Sequence, residues 1–162
     1  NVYPAEGRTE ISVGHVGNSL YLGVKGYEPS TTGLVAEHTQ RDSDVWQDDC
    51  IEVFIDDDII ESSYFTFHIN SRGAYKDQHA RTAENERWNS SLKVATHVAE
   101  NFWTAEIELP LADYQDEPVA AGEVWGFNVA RVRIGNAAEY GQWVPTYGMA
   151  HRPERFGLLV FE

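Results

Sequence analysis

Trp46 stands six residues before Glu52, and Asp48, Asp49 and Cys50 lead between them into the run Ile51-Glu52-Val53-Phe54-Ile55-Asp56. An indole held at the end of a loop offers a flat apolar face, and a carboxylate beside it accepts hydrogen bonds from hydroxyl groups. The pair suits a ligand with a flat C–H face and a rim of hydroxyls, which describes a pyranose ring. Trp88 and Trp143 also fall in or beside loops, whereas Trp103 and Trp125 share strand faces with apolar residues. Trp46, Trp88 and Trp143 are therefore the candidates for stacking on a sugar, although each could equally plug an end of the core. Glu52, His68, Asn70, Glu106, Glu108 and Asn128 fall at polar positions of successive strands. If those strands share one sheet, its face presents carboxylates and amides with Arg72 beside them, the groups that meet hydroxyls as both donors and acceptors. A solvated sheet face has the same composition.

Other chemistries fit less well. Asp56-Asp57-Asp58, the Asp42/Asp44 pair and the Asp48/Asp49 pair offer hard oxygen ligands for calcium, without the spaced loop and closing Glu of an EF-hand. Solvated acids explain them equally. Glu52 and Glu106 could act as the two carboxyls of a glycosidase, but 26 acidic residues against 12 basic ones make such pairs common by chance. No nucleophile elbow, phosphate-binding glycine loop or zinc-protease motif occurs. Thioether and imidazole both bind haem iron, so His68 with Met149 is a candidate axial pair. Met149 and His151, two residues apart, cannot easily reach opposite faces of one iron.

The elements that must position these groups are strands. Ile51, Val53 and Ile55 alternate with Glu52, Phe54 and Asp56, the period of a strand with one core face. Similar alternation predicts strands around Ile11–Val13, Leu20–Val24, 64–70, 92–98, 102–109, 125–132 and 156–161. Gly17-Asn18 and Glu100-Asn101 read as hairpin turns, and Pro110 ends a strand. Residues 28–44, 76–91 and 139–155 read as long loops, and only 111–116 looks helical, for a turn or two. About eight short strands without βαβ alternation predict an all-β fold, a jelly-roll-like β-sandwich of mostly antiparallel strands with long loops.

With 162 residues the chain fits a single domain spanning 1–162, with a core that buries roughly 70% of its unfolded surface. A formal charge of −14 repels nucleic acids and anionic lipid, so neither is an expected partner. The one cysteine, Cys50, cannot form an internal disulfide and reads as a small buried residue. No apolar run has the roughly 20 residues of a membrane-spanning helix. The abrupt termini suggest a module excised from a larger secreted protein, extracellular or periplasmic.

Five blocks in order carry a family resemblance: Val45–Asp56, Phe67–Gly73, Trp103–Pro110, Trp125–Arg131 and Arg152–Gly157. Together they resemble carbohydrate-binding module family 9, a β-sandwich in the DOMON-like superfamily, over roughly residues 10–162. The resemblance implies a non-catalytic, monomeric module that binds an oligosaccharide or polysaccharide of plant or algal type and is tethered to a xylanase or related catalytic domain. It implies structural calcium, here assigned to Asp56 and Asp57, and no organic cofactor. Trp46 matches the first stacking Trp, Glu52 the hydrogen-bonding acid and Trp143 the second stacking Trp, with Arg72 and Asn128 as looser matches. Two departures stand out: Ile51 precedes Glu52 where the family carries a Lys beside the acid, and the family's additional N-terminal strand is absent or shortened. Haem-binding sandwiches in the same superfamily keep electron transfer as the alternative function.

Overall fold

The computed structural model describes residues 3–85 and 87–162; Asn1, Val2 and Glu86 lie outside the described residues. Its strands run β1 (Thr9–Val16), β2 (Ser19–Tyr27), β3 (Cys50–Asp56), β4 (Tyr64–Asn70), β5 (Tyr75–Ala80), β6 (Lys93–Val98), β7 (Phe102–Pro110), β8 (Val124–Arg133), β9 (Glu139–Gln142) and β10 (Gly157–Val160). One antiparallel sheet has the order β1-β2-β7-β6, and the other β10-β8-β3-β4-β5 with β9 also paired to β8. The all-β sandwich expected from the alternation is the fold observed.

The core lies between the sheets. Ile51, Val53 and Ile55 of β3 meet Leu20, Leu22 and Val24 of β2 and Ile107 and Leu109 of β7 in one buried cluster. Trp103 and Trp125 are fully buried within it, and each large side chain taken from water contributes roughly 1.5–3 kcal/mol. The β1–β2 connection is the two-residue loop Gly17-Asn18, where Gly17 takes a φ of 61° that a side chain would disfavour. At the open end of the sandwich the inward positions of β8 pass from Val129 to Arg131 and Arg133. Both arginines are buried against Glu28, with Arg131 Nη2 at 2.6 Å and Arg133 Nη2 at 2.8 Å from its carboxylate oxygens. Burial raises the Glu28 carboxyl, but the bonds from Arg133 and Asn136 and the two guanidinium charges outweigh it, and the pKa falls below its ordinary value.

Two strands were not legible as such. All of β5 but Tyr75 falls in the segment expected to be loop, because its inward positions are Tyr75, Asp77 and His79 rather than aliphatic residues. Each is satisfied individually: His79 stacks on Phe65 at 4.2 Å between ring centroids, and Asp77 accepts from Arg41 Nη2 at 2.8 Å and from the Ser90 amide. An inward charge on an edge strand also discourages pairing with another chain. β9 is four residues with no apolar alternation, and it forms because β8 offers an open edge beyond β10. The helical stretch expected at 111–116 is a single 3-10 turn, Leu111–Asp113.

Candidate functional site

Glu52 faces away from the core. The antiparallel register sets His68 of β4 opposite it on one side and Ala130 of β8 on the other, and Lys76 of β5 follows beyond His68. Across Ala130 lies Gln142 of β9, and Tyr140 is two pairs further along, opposite Val132. Glu52 is 6% exposed, with one carboxylate oxygen 3.5 Å from His68 Nε2 and the other accepting the Tyr140 hydroxyl. Glu52, His68 and Tyr140 form the floor of a cavity of about 580 Å³.

Trp46 forms one wall. It sits in the 3-10 turn Val45–Gln47, anchored by the fully buried Val45 and by the Asp48 amide, which donates to the Val45 carbonyl at 3.0 Å. Asp48 accepts the amides of Glu37 and His38 and the Asn70 side chain, so the loop before the turn is tied to the end of β4. The indole itself is 51% exposed, an arrangement that costs solvation unless something covers it. The opposite wall comes from the loop after β9, through Gly148, Met149 and His151, and Gln78 of β5 closes one end. His151 Nδ1 is 3.0 Å from the Tyr64 hydroxyl, and its ring packs edge-on against Phe54.

Electrostatically the floor is a carboxylate held in its charged form. Burial raises the Glu52 carboxyl, but hydrogen bonds from His68 and Tyr140 and the charges of His68 and His151 outweigh it, leaving the pKa below its ordinary value. Burial and the adjacent Glu52 charge push the Tyr140 phenol far upward, so it stays a donor. Burial lowers the His151 pKa below its ordinary value, against the opposing pull of the Glu52 charge. The cavity thus combines one aromatic platform, one ionised acceptor and several hydrogen-bonding side chains, the groups that meet a polyhydroxylated ring.

Of the residues expected to meet a ligand, Trp46 and Glu52 are brought together. Trp143 is not across from Trp46, and that expectation is corrected. Its amide donates to the carbonyl of Val129, an inward-facing residue, so the half-exposed indole lies at the rim on the core side of the sheet, edge-on to Phe127 at 5.9 Å. Gly157 makes room for it, since a Cβ there would stand 2.7 Å from the ring. Asn70 and Asn128 lie on the outward face but are fully buried and committed to backbone groups and, for Asn70, also to the Asp48 carboxylate. Asn70 donates to the His38 carbonyl and accepts the Arg72 and Ala74 amides, while Asn128 holds both the amide and the carbonyl of Val144 at 3.0 Å. They shape the loops around the cavity and do not face into it. Arg72 is exposed in the turn after β4, outside the cavity lining.

Glu106 and Glu108 belong to β7 in the other sheet, so the Glu52/Glu106 pair of a glycosidase is not assembled. Trp88 packs on Phe65 and Tyr114 as a cover over the core and not as a sugar platform. Asp48 and Asp49 spend their oxygens on loop amides, Asp49 on those of Val35 and Ile134. His68 and Met149 do line the same cavity. Tyr140 and Gln78 were missed, because they sit on β9 and β5, the two strands whose sequences carry no alternation.

Asp56, Asp57 and Asp58 bring ligand oxygens within 4.8 Å of one another at the far end of β3. Asp56 Oδ1 is buried without a hydrogen-bond partner. Burial, a shared hydrogen bond with Asp58 and that neighbour's charge raise the Asp56 pKa to about 6. A hard cation would satisfy the orphaned oxygen and neutralise this repulsion, so the donor set fits calcium.

A profile of the family described as carbohydrate family 9 binding domain-like matches residues 34–162. No curated protein is similar enough in sequence to count as a match. Among solved structures, a candidate carbohydrate-binding protein from Bacteroides uniformis is 22% identical with a TM-score of 0.80, covering 99% of this chain and 81% of that one. A carbohydrate-binding module family 9 from Caldicellulosiruptor kristjanssonii is similar in two complexes. With cellotriose it is 15% identical at a TM-score of 0.74, covering 99% and 77% of the two chains. With glucose it is 14% identical at 0.73, covering 99% and 79%. At these identities the likeness is one of fold.

Proposed function

The chain belongs to the carbohydrate family 9 binding domain-like family, and from that premise we propose that the cavity between Trp46 and the 148–151 loop binds a neutral pyranose of a plant or algal-type glycan. One observation carries the reading: a half-exposed indole and a buried carboxylate that is kept ionised line one cavity, walled by polar side chains. The sugar's C–H face would lie on Trp46, and its hydroxyls would donate to Glu52 and exchange bonds with Gln78 and His151. Glu52 is the only carboxylate among the described residues lining the cavity, whereas glycoside hydrolysis ordinarily needs two. The module would then serve a tethered catalytic domain outside the cell or in the periplasm, where linkage raises effective concentration and tolerates modest affinity. Calcium is proposed at Asp56 and Asp57, with Asp58 beside them, to brace the loop after β3.

Titration calorimetry against a panel of soluble glycans tests the reading, with wild type and Trp46→Ala compared. Binding in wild type and its loss in the folded variant is expected; equal affinity in both would sink it. The haem alternative has His68 and Met149 in the same cavity, but the buried His68 directs Nε2 at Glu52. A Soret band in the purified protein would reverse the choice.

A further inference from the structure

The Trp46 cavity is not isolated. Tyr140 and Gly148, which line it, also line a second concavity of about 470 Å³ on their far side. That concavity is walled by Tyr3 and Pro4 from the segment before β1, and by Pro145 and Tyr147 from the loop after β9. Tyr147 is 70% exposed and Tyr3 76%, and both rings border the same groove as a third, Tyr140. A concavity lined by aromatic side chains suits a ligand with a flat C–H face.

The loop carrying Tyr147 is held rigidly. Gln142 Nε2 donates to the Gly148 carbonyl at 2.9 Å, and its Oε1 accepts the Thr146 amide at 2.8 Å. The buried Thr146 hydroxyl in turn approaches the Met149 carbonyl at 2.8 Å. Tyr147 takes a φ of 59°, a left-handed conformation uncommon for a bulky residue, and the Arg155 guanidinium lies 5.3 Å from its ring centroid. The crest Tyr147-Gly148-Met149 thus presents Tyr147 to one concavity and Met149 to the other, with only a glycine between them. A glycine at that point lets a chain pass over the crest without meeting a side chain.

We infer that the second concavity is a further sugar subsite, and that the ligand is an oligosaccharide running from the Trp46 cavity across Tyr140 and Gly148 onto Tyr147. The inference rests on the sugar-binding reading of the first cavity and adds the length of the ligand to it. Each additional residue stacked on an aromatic ring is worth up to about tenfold in affinity.

The test is calorimetry with gluco-, xylo- and mannooligosaccharides of one to four residues, β-1,4-linked. In the series that binds, Kd is expected to fall by roughly tenfold between the monosaccharide and the trisaccharide. Tyr147→Ala should remove that gain and leave monosaccharide affinity and the melting temperature unchanged. A Kd independent of chain length, or a Tyr147→Ala effect equal on all lengths, overturns the subsite while the first cavity keeps its assignment. Absence of binding at every length and in every series overturns both.

Discussion

Replacing Asp56 by Asn isolates the electrostatic cost of the triple-aspartate turn. Asp56 is 1% exposed, and burial, its shared hydrogen bond with Asp58 and that residue's charge raise its pKa from 3.8 to about 6. A rise of that size corresponds to about 3 kcal/mol. The folded protein therefore holds a proton on Asp56 that the unfolded chain has already released between about pH 4 and 6. Stability falls as pH rises through that window, and the whole deficit is present above it. Asn is nearly isosteric, carries no charge and supplies an N–H to the Asp58 carboxylate. In chelator, the variant should match wild type below about pH 4 and exceed it by about 3 kcal/mol at pH 7, measured by urea unfolding at intervals across that range. Calcium should stabilise wild type at pH 7 and leave the variant little changed. A stability difference that does not depend on pH, or an equal calcium response in both proteins, would refute the reasoning.

Glu28→Gln leaves Arg131 and Arg133 buried without their shared carboxylate and should cost about 3–5 kcal/mol in urea unfolding; a loss below about 1 kcal/mol would show that the end of the sandwich relaxes around the uncompensated charge. Glu52→Gln keeps the shape of the cavity floor but removes an ionised acceptor, so sugar affinity at pH 7 should fall between about tenfold and a hundredfold by calorimetry. Because Glu52 titrates below its ordinary range, wild-type affinity should hold through mildly acidic pH and decline only below that range. An affinity that already falls near pH 6 would instead implicate a histidine.

How far the sequence could be read follows from what alternation encodes. β3 and β4 appear at their expected limits, Cys50–Asp56 and 64–70, because each has apolar residues on every inward position. β5 and β9 were not legible; in β5, Tyr75, Asp77 and His79 find their partners in an arginine, a backbone amide and an aromatic ring contributed by other segments. The same blindness hid Tyr140 and Gln78 from the site. Asn70 and Asn128 were placed on the correct face, but nothing local shows that their amides are consumed by the loops at 38 and 144.

By itself the sequence determined the all-β class, the outward direction of Glu52 and the position of Trp46 at the entrance to its strand, because side-chain direction within a strand follows from a period of two. Only the tertiary structure decided what those residues face. Which strands share a sheet separated Glu106 from Glu52, and the register of β9 on β8 set the half-exposed Trp143 beside Phe127, away from Trp46, while bringing Tyr140 onto the Glu52 carboxylate. Pairing between strands is set by long-range hydrogen bonds and by the total fit of the core, and neither is written in the residues next to a tryptophan.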